Sequence, residues 1–203
     1  MKKHFLIFGA GLLLLSACNS VKAPEAILPI PEAKQVEWQK METYAFVHFG
    51  LNTFNDREWG YGDSDPKTFN PTRLDCEQWV QTFVKSGMKG VILTAKHHDG
   101  FCLWPTQLTE YCIRNTPYKD GKGDIVRDFV NSCRKYGLQP GIYIGIRWNS
   151  LLGIHNFKAE GEGAFARNRQ AWYKRLCEKM VTELCTRYGD LYMIWFDGGA
   201  DDP

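Results

Sequence analysis

The stretch GVILTAKHHDGF, residues 90–101, decides the fold class, because a short apolar run ends in a cluster of polar side chains. Residues 90–95 are mostly aliphatic and β-branched, as expected for a parallel strand that is buried on both faces. Residues 96–101 follow at once with a lysine, two histidines and an aspartate. The stretch therefore predicts a buried strand whose carboxyl end carries chemically active groups.

Three further runs of the same kind occur at residues 44–48, 140–146 and 191–196. The ends of the four predicted strands are spaced 48 to 50 residues apart. This regularity favours a (β/α)8-type, TIM-like barrel over a doubly wound sheet. No GxGxxG motif follows the first strand, which weakens the nucleotide-binding alternative.

Three amphipathic helices are predicted between the strands. The first begins after Asp75, which with Gln78 matches a capping box, and the second begins near Asp124. The third is predicted over residues 167–188, with an apolar face formed by Trp172, Leu176, Cys177, Met180, Val181, Leu184 and Cys185. The order β-α-β-α-β-α-β predicts an α/β fold of about four β/α units.

Four units are half of such a barrel, since a complete one needs at least about 200 residues. The predicted units occupy residues 38–203. We therefore expect this segment to be a partial, truncated catalytic barrel. An unfolded product of a truncated gene is the least favourable alternative.

The first 18 residues, MKKHFLIFGAGLLLLSAC, are predicted to be an export signal. Two lysines precede an apolar run over residues 5–15, which is too short to span a bilayer. The ending LSAC resembles a bacterial lipoprotein box with Cys18 as the lipidated residue, and an ordinary signal peptide cut nearby is the alternative. Residues 19–37 are predicted to be a tether. We expect an exported lipoprotein, anchored to a membrane at Cys18 in the periplasm or at the cell surface.

Composition excludes several classes of protein. A hydrophobic share of 44% is ordinary for a globular core and excludes disorder for the bulk of the chain. The chain has 25 basic and 23 acidic residues, and Lys2 and Lys3 belong to the predicted signal, so the remainder is neutral. A neutral chain without a basic block gives no footprint for nucleic acid.

The six cysteines after Cys18 include no CxxC pair, so a zinc knuckle or a thioredoxin motif is not supported. Export would permit disulfides, and Cys102 with Cys112 is the best candidate pair. Free cysteines that behave as small hydrophobic residues are the more favoured interpretation.

Each predicted strand ends in side chains that could bind or transform a ligand. They are His48, His97, His98, Tyr143, Trp195 and Asp197. In a barrel the carboxyl ends of the strands form the active-site face, so we expect these residues to meet in one pocket. Aromatic faces pack against the C–H faces of sugars, and imidazoles bind hydroxyls. Asp197 is a natural nucleophile for an anomeric carbon.

Simpler roles compete with these. Adjacent residues on a strand point to opposite faces, so His97 and His98 are not expected to bind one metal ion, and no metal or other cofactor is predicted. Asp99 is expected to tie its loop together. Asp197, which Gly-Gly follows, could alone be a turn residue.

Five motifs follow one another along the chain: VHFG (47–50), EWG (58–60), FNP (69–71), KHHDGFCLW (96–104) and WFDGG (195–199). In this order they resemble glycoside hydrolase family 29, the retaining α-L-fucosidases. The resemblance implies a (β/α)-type barrel, an exo-acting hydrolase, a fucosylated glycan as substrate and no cofactor. The stretch after VHFG is similar to the branch that prefers α-1,3/1,4-linked fucose.

The resemblance also assigns roles to single residues. Asp197 matches the nucleophile that forms the fucosyl-enzyme. The matches to groups that hold the sugar are His48, Glu58, His97, His98, Tyr143 and Trp195. The family's acid/base carboxylate follows the nucleophile, and here only Asp201 and Asp202 do so. We therefore expect the acid/base beyond Pro203. A lipid-anchored fucose- or glycan-binding protein without hydrolysis is the alternative function.

Overall fold

A computed structural model describes residues 22–198. The predicted signal, the lipidation of Cys18 and most of the lipoprotein interpretation lie outside these residues. The chain divides into two units, Met1–Val36 and Glu37–Pro203, and the second contains the sheet described below. Among the residues described, no helix is long and apolar enough to cross a membrane.

The strands are β1 (Tyr44–Val47), β2 (Gly90–Lys96), β3 (Gln139–Ile144), β4 (Ile154–His155), β5 (Lys158–Ala159) and β6 (Met193–Phe196). The main sheet has four parallel strands in the order β1-β2-β3-β6. Strands β4 and β5 form a separate antiparallel hairpin. The helices are α1 (Ala33–Lys40), α2 (Leu51–Phe54), α3 (Cys76–Lys85), α4 (Ile125–Lys135) and α5 (Gly163–Arg187). Short 3-10 turns occupy Pro66–Thr68, Ile113–Asn115, Tyr118–Gly121 and Ser150–Leu152.

The predicted α/β order and the parallel sheet are confirmed, with shifted bounds. β3 ends at Ile144 rather than at residue 146, and α5 begins at Gly163 rather than near residue 167. Helix α1 extends across the expected end of the tether at residue 37. Within the described residues β1 and β6 are free edges, so the sheet is open and the half-barrel remains a prediction.

Carboxylate caps begin the two central helices. Asp75 accepts a hydrogen bond from the backbone N–H of Gln78 at 3.1 Å, and Asp124 accepts one from Arg127 at 2.9 Å. A carboxylate at this position satisfies an unpaired backbone donor and the positive end of the helix dipole. Both predicted helix starts are therefore confirmed.

The core lies between the sheet and the helices. Helix α4 buries its whole apolar face, whereas the apolar face predicted for α5 is partly wrong. Trp172 is 44% exposed and Cys185 is exposed, because the buried stripe begins at Tyr173 and continues at spacings of three and four residues. One residue along a helix turns the side chain by about 100°, which moves Trp172 out of the core. The stripe consists of Tyr173, Leu176, Met180 and Leu184.

The six described cysteines are free thiols, and the candidate disulfide was wrong. Cys102 and Cys112 are both fully buried and are neighbours in a backbone bridge. Their sulfur atoms approach different carbonyls, those of Gly100 and Thr106, each at 3.7 Å. The pair therefore packs as two small hydrophobic residues.

Candidate active site

Three histidine rings lie in a row at the carboxyl ends of β1 and β2. The ring centroids of His48 and His97 are 4.3 Å apart, and those of His97 and His98 are 4.2 Å apart. The expectation that adjacent histidines point to opposite faces was wrong, because β2 ends at Lys96 and the next residues form a turn. In this turn the backbone N–H of Gly100 donates to the carbonyl of His97 at 3.2 Å.

Asp197 meets this row from the end of β6. Its Oδ2 accepts a hydrogen bond from the phenol of Tyr143 at 2.8 Å and lies 3.5 Å from Nε2 of His98. Tyr143 is paired in register with Trp195, so β3 delivers the phenol beside the end of β6. The Asp197 side chain is 40% exposed, so a ligand can reach its carboxylate.

Burial keeps the three imidazoles neutral. Burial, together with the smaller effects of the neighbouring imidazoles His98 and His48, lowers the pKa of His97 to about 3. Burial also lowers the pKa values of His98 and His48, partly opposed by the charges of Asp197 and Glu58 respectively. A neutral imidazole has one donor and one acceptor nitrogen, which suits a sugar hydroxyl.

The Tyr143 phenol stays protonated beside the carboxylate. Burial raises its pKa, and the hydrogen bond to Asp197 raises it further. A protonated phenol can donate only one hydrogen bond, and this one fixes Oδ2 of Asp197. No hydrogen bond to the other carboxylate oxygen, Oδ1, is made by residues 22–198.

Asn52 is a site residue that the sequence analysis missed. It lies in α2, is buried, and donates through Nδ2 to the carbonyl of Glu58 at 2.8 Å. The same nitrogen lies 3.2 Å from Nδ1 of His97. Because the Glu58 carbonyl can only accept a hydrogen bond, the amide nitrogen Nδ2 of Asn52, and not its oxygen, must face this carbonyl. Nδ2 therefore also donates to Nδ1 of His97, which is the acceptor. The Nε2–H of His97 is left as a donor. A polar residue two positions after VHFG was the available signal.

Two predicted site residues contribute less directly. The carboxylate of Glu58 is exposed and makes no hydrogen bond to any other residue described; its charge acts on His48. Trp195 is 37% exposed and packs edge-on against Phe46 at 5.6 Å. It shares the sheet face of Tyr143.

Asp99 and Lys96 support the turn from inside. Asp99 is buried, accepts a hydrogen bond from the backbone N–H of Phe101 at 3.3 Å, and has a pKa raised by burial to about 6. The ammonium of Lys96 is fully buried and donates to the carbonyls of Gly145 and His97. These contacts match the structural role expected for Asp99. Among the described residues, no group of three or more histidine, cysteine or acidic side chains is arranged to hold a metal ion.

The fold and the side chains at the site together define a class of protein. A partly exposed carboxylate, neutral imidazoles and aromatic side chains gather at the carboxyl ends of parallel strands. This chemistry binds hydroxyl groups and offers one nucleophile, which is typical of proteins that bind or cleave carbohydrates.

The particular family follows from comparison with known proteins. The chain belongs to the alpha-L-fucosidase family, because the model of that family matches residues 20–203. Alpha-L-fucosidase 1 of Arabidopsis thaliana is 38% identical over 202 residues, which cover 98% of this chain and 37% of that protein. The resemblance to fucosidases inferred from the motifs is therefore confirmed.

Comparison with solved structures leads to the same family. A Bacteroides thetaiotaomicron protein assigned to the alpha-L-fucosidases superposes with a TM-score of 0.81 and 64% identity, covering 87% of this chain and 42% of that one. A glycoside hydrolase 29 family member from an unknown rumen bacterium has a TM-score of 0.70 and 44% identity, covering 85% of this chain and 29% of that one. The chain thus spans about two fifths or less of the length of these relatives.

Proposed function

We propose that this chain carries the fucose pocket and the nucleophile of a retaining exo-α-L-fucosidase, which removes terminal α-linked L-fucose from glycans. One observation carries the proposal. Oδ2 of Asp197 accepts a hydrogen bond from the Tyr143 phenol at 2.8 Å and lies 3.5 Å from Nε2 of His98, at the end of a row of neutral imidazoles. Nucleophile and hydroxyl-binding groups therefore share one pocket.

In the proposed reaction, Oδ1 of Asp197 attacks the anomeric carbon while the bond to the leaving oxygen breaks. The Tyr143 phenol orients the carboxylate, and the three imidazoles hold hydroxyls of the sugar. A fucosyl-enzyme ester results, and water then attacks the same carbon and releases fucose. Two inversions at one carbon give net retention of configuration.

A retaining site also needs an acid/base carboxylate about 5–5.5 Å from the nucleophile. Among residues 22–198, Asp197 is the only carboxylate within 3.5 Å of the Tyr143 hydroxyl or the His98 ring nitrogens. We propose that the acid/base group belongs to a part of the protein outside this range. The four parallel strands are then proposed to be the first half of a (β/α)8-type barrel.

Location is a further proposal. The lysines, the apolar run and the LSAC sequence that ends at Cys18 support export followed by lipid anchoring. The protein would then act on fucosylated glycans at a bacterial membrane, in the periplasm or at the cell surface. Labelling with a radioactive fatty acid tests this proposal. We expect the expressed protein to incorporate the label and the Cys18→Ser variant not to incorporate it.

The catalytic proposal is tested with α-L-fucosyl fluoride, because fluoride leaves without a proton from an acid. We expect fluoride release and a fucosyl ester on the peptide that contains Asp197, detected by mass spectrometry. Asp197→Asn should abolish both, and the matched control Asp190→Asn, an exposed aspartate after α5, should change neither. An ester on another residue would contradict the assignment.

Glycan binding without hydrolysis is the second candidate function. The observation that favours it is that, among the described residues, Asp197 is the only carboxylate in contact with the Tyr143 phenol or the His98 ring. Calorimetry with L-fucose, run beside the fluoride assay on the same preparation, separates the two. Fucose binding with no fluoride release and no ester would select the binding protein.

A further inference from the structure

The side-chain amide of Asn52 lies between a loop and the middle ring of the histidine row. Its Nδ2 lies 2.8 Å from the carbonyl of Glu58 and 3.4 Å from that of Trp59, both in the loop over residues 58–60. The same nitrogen lies 3.2 Å from Nδ1 of His97. The Asn52 residue is only 1% exposed, so bulk water does not compete for these contacts.

The two loop carbonyls fix the direction in which this amide faces. A carbonyl can only accept, so an amide turned over would place its own oxygen, Oδ1, against both of them. Among the described residues, Oδ1 of Asn52 has no hydrogen-bond partner, and a turned amide would leave its N–H groups without an acceptor. The loop backbone, and not the histidine, therefore decides that an N–H group of Asn52 faces His97.

The direction of the amide determines where the His97 proton lies. The amide has two N–H bonds, and the Glu58 carbonyl takes one of them. Nδ1 of His97 at 3.2 Å is closer to the amide nitrogen than Nε2 of His48 at 3.5 Å. Because the pKa of His97 is about 3, its ring carries a single proton at neutral pH. Since Nδ1 accepts, that proton lies on Nε2.

The loop packs tightly enough against Asn52 to keep the amide in place. Gly60 has a φ of +72°, and a Cβ there would lie 3.0 Å from the Cβ of Asn52. The same loop carries Trp59, whose ring lies 4.7 Å from that of His98, and the Trp148 ring lies 5.9 Å from Trp59. The row of rings thus continues beyond His98, and one loop contacts the row both through its carbonyls and through Trp59.

We propose that Asn52 is a positioning residue that keeps His97 in the Nε2–H tautomer, so that this ring offers the pocket a hydrogen-bond donor and not an acceptor. The loop carbonyls orient the amide, and the amide selects the nitrogen that carries the imidazole proton. An unconstrained neutral imidazole populates both tautomers. One part of the inference rests on the proposed function, namely that the donor binds an oxygen of fucose.

The tautomer is read by proton–nitrogen correlation NMR on the full chain with isotope-labelled histidine, because protonated and bare ring nitrogens resonate in separate regions. Spectra at about pH 8, above the ordinary histidine pKa of about 6.5, keep the rings uncharged. The loss of signals in His97→Gln identifies those of His97. In the wild type we expect a protonated Nε2 and a bare Nδ1.

Asn52→Asp keeps the size of the side chain but replaces the donor by a carboxylate, which can only accept. We expect Nδ1 of His97 to become protonated and Nε2 to become bare. Asn52→Leu removes the donor without adding a charge and serves where the Asp variant does not fold; here both nitrogens should be partly protonated. The matched control is Asn55→Asp, which adds the same charge beside the same turn, where the Asn55 amide contacts Thr68. It should leave the His97 signals unchanged.

A bare Nε2 in the wild type would overturn the proposal, as would His97 signals that stay unchanged in the Asn52 variants. An equal change in Asn55→Asp would also overturn it, because charge alone would then be the cause. Calorimetry with L-fucose tests the second part, and Asn52→Asp should raise the Kd about tenfold through the lost donor. A wild type with the expected nitrogen signals but no fucose binding would overturn the proposed function and leave the role of Asn52 intact. The two failures are therefore distinguishable.

Discussion

The two faces of strand β3 have different roles, as three consecutive residues show. Ile142 and Ile144 are fully buried against the helices, whereas Tyr143 between them turns to the pocket and binds Asp197. Period-two alternation makes this division possible. The helix side should therefore control the free energy of unfolding, and the pocket side should control fucose binding and the reaction. Substitutions on one side should change the other property by a smaller amount.

The largest effect is expected on the helix side. Phe129 of α4 is fully buried, and Phe129→Ala should lower the free energy of unfolding by about 3–5 kcal/mol through lost contacts and a cavity. Urea titration measures this loss. Phe129→Leu should retain most of the stability, and fucose affinity of the folded fraction should be unchanged in both. A loss below about 1 kcal/mol would contradict the division.

A glycine at the border should affect both properties. Gly100 has a φ of +99°, and a Cβ there would lie 2.6 Å from the side-chain oxygen of Asn149. Gly87 has a φ of +79° but an open surrounding, so Gly87→Ala is the matched control for left-handed strain alone. We expect Gly100→Ala to lose about 1–3 kcal/mol more than the control and to weaken fucose binding. Equal losses in the two variants would contradict the predicted clash between the added Cβ and the Asn149 side chain.

Two tyrosines offer a smaller and cleaner comparison. The Tyr143 phenol binds Asp197 at 2.8 Å, and the Tyr136 phenol binds Glu77, also at 2.8 Å, on the helix side. Each Tyr→Phe change should cost about 1 kcal/mol of stability or less. Only Tyr143→Phe should slow formation of the fucosyl ester, by about tenfold, because it removes the hydrogen bond that orients the Asp197 carboxylate. Equal rates for the two variants would remove Tyr143 from the reaction.

The last comparison concerns pH. The pKa of His97 is lowered to about 3 in the folded protein, against an ordinary value of 6.5. Between these values the unfolded chain binds the proton and the folded protein does not, so the His97 contribution to stability is lost as pH falls. His97→Gln should therefore flatten the decline of stability between pH 6.5 and 4. The raised pKa of Asp99 acts in the opposite direction above pH 3.8 and is common to both proteins, so it cancels in the difference. An unchanged slope would contradict a neutral His97.

Local patterns predicted much of the fold. The strands, the cap residues Asp75 and Asp124 and the order of the elements follow from short-range periodicity and from groups that bond within one turn. The apolar face of α5 was less predictable, because Tyr173 and Trp172 both suit a core. Only packing decided which of the two neighbours is buried.

The residues of the candidate site were likewise predicted only in part. Strand ends identified His48, His97, His98, Tyr143 and Asp197, and the structure brings these five side chains together. It did not bring the Glu58 carboxylate into a hydrogen bond with them. Asn52 and the rings beyond His98 were missed. Asn52 lies in the single-turn helix α2 and the rings lie in loops, and contacts with segments distant in sequence position both.

By itself the sequence determined the parallel α/β order, the family and the polar groups at each strand end, because all of these depend on residue type and on spacing along the chain. The tertiary structure alone decided that two adjacent histidines face the same side and that their rings are neutral. It also decided that a loop some fifty residues away extends their wall. Those properties depend on burial and on contacts between segments, which spacing along a chain does not specify.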